Sequence, residues 1–281
     1  NTDALRDAAL GVGGNLDALF LPDRPEQRFL ELMPVADRFF PAAEDHHVGG
    51  IMAVFEWGVT AKKTNARFRA ALLLEIGNDQ LALYGTAQFG FPTLDADQVV
   101  RIRAGFEALY DVERKFVRVS LTLTEATLFR RVHLTGGAAL LIRWGDDDEF
   151  AFTLGGFHPA FRPYIPEGMR EPPRLGAHWK PKSLLDLDLQ AYFAFTSTSL
   201  QFGASAYLEA GASWGGVRGD IAFNMIVMSE PKWYFETDLS FRVTAFLFGC
   251  DLISAGLRGA ISGPGPWHLE RMMQAADAFA M

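Results

Sequence analysis

The sequence predicts a mainly β protein. The expected fold is an antiparallel meander of about twelve strands, arranged as a curled sheet or a two-layer sandwich, with short helices at the N- and C-termini. Two observations carry this expectation. From Met52 to Ser262 apolar and polar residues alternate in successive runs, with turn residues between them. Where the period is clearest, each run has a wholly apolar side: in residues 116–124, Val117, Val119, Leu121 and Leu123 face one way and Arg118, Ser120, Thr122 and Thr124 the other, because successive side chains on a strand point to opposite faces. One side is therefore expected dry and the other wet. Parallel strands, buried on both faces, read instead as unbroken apolar runs, so the pairing is expected to be antiparallel.

In chain order, residues 1–48 are expected to be helical or irregular. Thr2 or Asp3 caps a short helix carrying Leu5, Ala8 and Ala9, which Gly11, Gly13 and Gly14 then break. A second helix runs from Glu26 to about Phe40, with Phe29, Leu30 and Met33 on its apolar side and Pro34 kinking it. Residues 49–158 hold the first strand set, expected at 52–59, 68–76, 81–89, 99–110, 116–124, 133–144 and 149–154. Gly77-Asn78-Asp79 and the acidic turn at 145–148 supply the bends between hairpins. Residues 159–182 lack alternation and are rich in proline, which reads as a crossover loop. The second strand set occupies residues 183–268, at 185–195, 200–210, 217–228, 234–248 and 252–262. Residues 269–281, rich in Met and Ala, are expected to form a C-terminal helix from Arg271 onward.

Composition bounds the function. A chain of 281 residues with 49% hydrophobic and 21% charged residues can bury a sizeable core. A net charge of −8 and a pI near 5.3 disfavour nucleic acid and anionic membrane surfaces, which call for basic patches. The lone Cys250 precludes an internal disulfide and multi-cysteine metal sites; in Phe248-Gly249-Cys250 it reads as a small buried apolar residue. The sequence shows no leader-like segment and no apolar run of membrane-spanning length. A cytoplasmic location and no transmembrane helix are the corresponding expectations. A nucleophile elbow, a phosphate loop and a dinucleotide fingerprint are all missing, and no cofactor is expected.

Three separated strings carry a resemblance: GGFHPAF at 155–161, YFAFTSTSLQFGA at 192–204 and SGPGPWH at 262–268. With LTGGAALLIRWGDD at 134–147, HHVGGIM at 46–52, EWG at 56–58 and DALRDAAL at 3–10, the chain resembles a bacterial family of large β-rich proteins, domain of unknown function 6603. The resemblance implies long stacks of antiparallel strands within bigger polypeptides. It carries over no catalytic residues. Its structural motif positions are Gly155, Gly156, Phe157, His158, Pro159, Gln201, Gly203, Gly263, Pro264, Pro266 and Trp267. After His268 the helix expected here departs from the pattern, in which strands continue.

Each candidate chemical site has a plainer reading. Glu44, Asp45, His46 and His47 offer metal ligands without a third partner at a recognisable spacing, which reads as a hydrated junction. Asp146, Asp147, Asp148 and Glu149 lack the spacing of a calcium loop and read as a solvated hairpin tip. Asp186 and Asp188 lie about 7 Å apart by strand rise, on a wet face with no apolar pocket to raise either acid. His158 reads as a buried residue tying the proline-rich loop to a strand end. A catalytic site near that loop would require His158, His178 and Trp179 to converge. The remaining feature is the apolar face, where Phe89, Phe193, Phe195, Phe202, Phe223, Phe241 and Phe246 would line a trough if the sheet stays open. Two functions follow. The first is a non-enzymatic structural or interaction module of a larger bacterial assembly, with protein partners or self-association. The second is a carrier of lipid or another apolar ligand.

Overall fold

The computed structural model describes residues 47–60, 63–76, 80–94, 98–145, 148–182, 184–212, 214–264 and 268–274. Within them the alternating runs form one antiparallel sheet. The first five strands follow one another as hairpins: β1 (His47–Thr60), β2 (Lys63–Ile76), β3 (Gln80–Phe91), β4 (Val100–Asp111) and β5 (Phe116–Leu128). The middle of the sheet is made of β6 (Val132–Thr135), β7 (Gly137–Arg143), β8 (Glu149–Leu154) and β9 (Leu175–Lys182). The meander then resumes through β10 (Leu185–Thr196), β11 (Ser199–Ala212), β12 (Gly215–Met228), β13 (Tyr234–Leu247), β14 (Cys250–Gly263) and β15 (His268–Gln274).

The middle strands are two strand positions, each cut in half. Along β5, Phe116 to Thr122 pair with β7 and Thr127 to Leu128 with β6. Along β10, Phe193 to Thr196 pair with β8, and Leu185 to Ala191 pair with β9. Leu154 thus pairs with Phe193 and Leu175 with Ala191, so only Tyr192 separates the point where the chain leaves the sheet from the point where it returns. Residues 155–174 are an excursion inserted into what is otherwise one strand. Gly155 and Gly156 make the exit at φ +72° and +86°, a left-handed region that suits glycine. A Cβ on Gly155 would also lie 2.5 Å from the Ala191 carbonyl oxygen. The excursion continues as a short 3₁₀ helix (Pro159–Tyr164), where His158 Nδ1 accepts the Ala160 N–H at 3.1 Å.

This excursion decides where the core sits. It lays Phe157, Phe161 and Met169 against Ala139, Leu141, Ala151, Ala194, Ile226 and Met228, with the Phe157 and Phe161 rings 5.4 Å apart. Each such side chain contributes about 1.5–3 kcal/mol when fully buried, enough to hold a segment that makes few ladder bonds. Beside it, Glu107 and Arg118 form a buried ion pair at 2.9 Å, and Arg118 Nη1 donates to the Gly168 carbonyl at 2.7 Å. The covered face is the one that carries the polar residues of the alternation. The expected assignment of dry and wet sides is therefore reversed over the middle of the sheet.

Three further expectations change. Residues 175–182 of the expected loop are strand β9, paired on both sides; Pro181 and the brevity of the run mask the pattern in sequence. Residues 269–274 of the expected C-terminal helix belong to β15, which pairs β14 from Gly256↔Gln274 to Ser262↔His268. The open edge of β14 offers unpaired N–H and C=O groups, and that ladder overrides the helix propensity of Met, Glu and Arg. Cys250 is exposed rather than buried. The expected N-terminal helices and residues 275–281 lie outside the described residues.

Candidate functional site

Directly paired residues on neighbouring strands point to the same face, so the register defines rows that cross the sheet. One row runs Ile51, Leu72, Leu83, Ala108, Val119, Leu140, Phe152, Phe195, Leu200, Val227, Phe235. The next, two residues along each strand, runs Ala53, Ala70, Gly85, Phe106, Leu121, Ala138, Leu154, Phe193, Phe202, Met225, Thr237, Ile261. Two more rows extend this face at either end. Phe55, Phe68 and Ala87 lie beside Trp57, Ala66 and Phe89 on the first strands. Ala191, Ala204, Phe223 and Leu239 lie beside Leu189, Ala206, Ile221 and Phe241 on the later ones. Thr237 is the sole polar side chain among these residues, and none is charged.

This face is open. Trp57 is 82% exposed, Phe195 50% and Phe241 47%. Between the larger side chains the floor is small: Gly176, Ala177, Ala191, Ala204 and Ala206 lie under a hollow of about 580 Å³, flanked by Leu175, Leu189, Ile221 and Phe223. The opposite face holds the charges, paired across strands as Glu56–Arg67 at 2.5 Å, Arg101–Glu125 at 2.9 Å, Arg143–Glu149 at 2.8 Å and Lys180–Asp186 at 2.6 Å.

Of the phenylalanines expected to line a trough, Phe89, Phe193, Phe195, Phe202, Phe223 and Phe241 stand together on the apolar face. Phe193 pairs with Phe202, and the Phe202 and Phe223 rings lie 5.7 Å apart. Phe246 does not join them. It has the parity of Arg242 and Thr244, pairs with Gly216 and Asp251, and receives the Arg218 guanidinium 5.4 Å from its ring centre. An odd step along a strand reverses the face, which is why Phe246 leaves the set. Ile51, Phe55, Trp57 and the alanine floor complete the face. Alanine and glycine give little apolar signal in sequence, so only the register reveals them.

The motif residues build the anchor of the excursion. His158 is 3% exposed, and its backbone N–H donates to Gln201 Oε1 at 2.8 Å. Gln201, fully buried, in turn donates to Ser199 Oγ at 2.8 Å. Burial pushes the His158 imidazole below its ordinary pKa, with Glu236 and Asp238 pulling the other way. The neutral ring accepts at Nδ1, which places its proton on Nε2, a buried atom without a hydrogen-bond partner among the described residues. Arg174 donates to the carbonyls of Gly155 at 3.0 Å and Phe157 at 2.6 Å while stacking 3.9 Å from the Tyr192 ring centre. Tyr192 donates to Asn224 Oδ1 at 3.0 Å, and burial raises its phenol. A Cβ on Gly203 would meet Tyr192 Cε1 at 2.4 Å, and one on Gly263 would meet Phe235 Cε1 at 2.5 Å. Pro264 follows β14; Pro266 and Trp267 lie outside the described residues.

The candidate chemical clusters are not assembled. His178 sits half-exposed on the charged face, 3.5 Å from Asp186 and 3.6 Å from Asp188. Trp179, the next residue, pairs with Leu187 and Val132 and turns to the apolar face. His158 lies sealed beneath the excursion, so the three do not converge. Lys180 holds the Asp186 carboxyl below its ordinary pKa rather than raising it. Asp148 caps the hairpin tip by accepting the Gly145 N–H at 2.9 Å, while Asp146 and Asp147 lie outside the described residues. So do Glu44, Asp45 and His46. Among the described residues no three His, Cys, Asp or Glu side chains are arranged to hold a metal.

Among the described residues the fold and the face define an open antiparallel meander of thirteen strand positions, apolar and uncovered on one side, charged and clamped by an inserted segment on the other. The chain belongs to a family of unknown function, DUF6603, whose model matches residues 7–274. No curated protein and no solved structure matches it. No helix among the described residues is long and apolar enough to cross a membrane.

Proposed function

We propose that this chain is a non-enzymatic β scaffold whose apolar face carries the hydrocarbon chains of lipids or similar aliphatic ligands. The observation that carries the reading is a face crossing from β1 to β14 without a charged side chain. Eleven strand spacings of about 4.8 Å give it a length of about 53 Å, and three two-residue steps give a width of about 20 Å. That is on the order of 1,000 Å², against the few hundred Å² of the largest apolar patch on an ordinary monomer.

The chemistry of the face favours hydrocarbon over a protein partner. Protein interfaces carry about one hydrogen bond per 100–200 Å², so an area of this size would call for roughly five to ten polar pairs. The rows offer Thr237. A flat facing sheet would pack poorly over the shallow hollow above the alanine and glycine floor, because side chains gain contact energy only where partner atoms reach them. A flexible chain of methylenes fills such a space without rotamer or backbone constraints.

The test is native mass spectrometry of the purified chain with organic extraction. Bound lipid at a whole-number stoichiometry is expected, and a smaller load in an Ile221→Glu variant that keeps its β-sheet circular dichroism. A chain that emerges free of lipid and fails to take any up from phosphatidylethanolamine vesicles would falsify the proposal.

A further inference from the structure

The apolar face is longer than any single acyl chain. Resting on the carrier reading, we infer that it holds a row of acyl chains, three or more at a time, rather than one chain in one pocket. An acyl chain spans about 15 Å, half the roughly 30 Å hydrocarbon thickness of a bilayer. The hollow over β9, β10, β11 and β12 covers three strand spacings, about 14 Å, and so accommodates one chain. The face does not end there.

Towards β1 it continues through Leu140, Val119 and Leu83 to Ile51, and towards β14 through Leu239 and Ile261. No charged side chain divides it, and the one polar side chain in its rows, Thr237, is small, so nothing in the wall separates the hollow from its flanks. Aromatic rings pave the far end as well, with Phe55 to Phe68 at 6.3 Å and Phe68 to Phe106 at 5.0 Å. A selective one-ligand pocket closes around its ligand and places a few polar groups to fix orientation. This face has neither feature, whereas its length of about 53 Å accepts three chains end to end, or more if they lie side by side along the strands.

The experiment counts lipids. The full chain is loaded from vesicles of phosphatidylethanolamine carrying two sixteen-carbon chains and weighed by native mass spectrometry, beside Ile221→Glu in the hollow and Leu140→Glu at mid-sheet. Two or more phospholipids per protein are expected, with each variant losing part of that load and keeping at least one phospholipid. A load of one that Ile221→Glu abolishes overturns the row while leaving a single-site carrier. A load of zero removes the carrier reading too, as does a lipid-free dimer with this face buried between two copies. Circular dichroism and thermal midpoints close to those of the parent establish that both variants fold; Ile221 is 46% exposed and lies outside the packed core.

Discussion

Phe157 and Phe195 are expected to differ several-fold in their response to the same truncation. Phe157 is fully buried and stacks on Phe161 at 5.4 Å within the cluster that pins the excursion to the sheet. Replacing it with alanine removes a transfer contribution and leaves a cavity, which together cost about 3–5 kcal/mol for a core phenylalanine. Phe195 is 50% exposed on the open face. Its truncation forfeits about half of a 1.5–3 kcal/mol transfer term and encloses no cavity, so about 1 kcal/mol is expected in lipid-free protein. Urea unfolding followed by circular dichroism measures both. With a slope of about 2–3 kcal/mol/M, the midpoint should fall by roughly 1–2.5 M in Phe157→Ala and by about 0.5 M or less in Phe195→Ala, with the slope unchanged. Equal losses in the two variants would refute the reasoning. They would mean that the apolar face is packed in solution and that the excursion does not form the principal core.

Two further outcomes are expected. Gly203→Ala should destabilise by about 1–3 kcal/mol through overpacking, because its Cβ would lie 2.4 Å from Tyr192 and 2.6 Å from Asn224 Oδ1. Gly259→Ala, with no atom of the described residues within 4 Å of its Cβ, should be neutral or slightly stabilising; equal thermal midpoints in the two variants would contradict the placement of Tyr192. The third prediction concerns pH. Burial holds the folded-state pKa of His158 below its ordinary value of 6.5, so the unfolded chain binds more protons in that window. Its contribution is therefore complete above about pH 6.5 and declines as pH falls through that value. Urea midpoints should drop between pH 7.5 and 5.5, and His158→Asn, which keeps an acceptor for the Ala160 N–H, should flatten that drop. An undiminished drop in the variant assigns the titration to another group.

Much of the sheet is legible in the sequence because strand periodicity is local. Val117, Val119 and Leu121 share a face on sequence grounds alone, and the register leaves them there. The errors fall where a non-local partner intervenes. The last strand owes its conformation to the open edge of β14, which no property of Met272 or Met273 announces. Strand β9 follows the excursion, and only its pairing with Leu187, Leu189 and Ala191 on β10 shows that it completes the strand begun by β8. Residue type alone groups Phe246 with the face, whereas its parity places it with Arg218.

The site divides in the same way. GGFHPAF and YFAFTSTSLQFGA mark positions that the structure joins through the His158 to Gln201 hydrogen bond. Their common purpose is invisible in either string, since the residues lie far apart along the chain. Ala191, Ala204 and Ala206 form the floor of the hollow, and small residues leave no trace in an apolar pattern.

By itself the sequence determined that the chain alternates, that each strand has an apolar and a charged side, and that the pairing is antiparallel. These follow from backbone geometry, which sends successive side chains to opposite faces. Only the tertiary structure decided which side is covered. Burial depends on what packs against a face, and here Phe157, Phe161 and Met169 leave the sheet at Gly155 and close over the polar side. The apolar side stays uncovered because the path of the chain returns no element across it among the described residues.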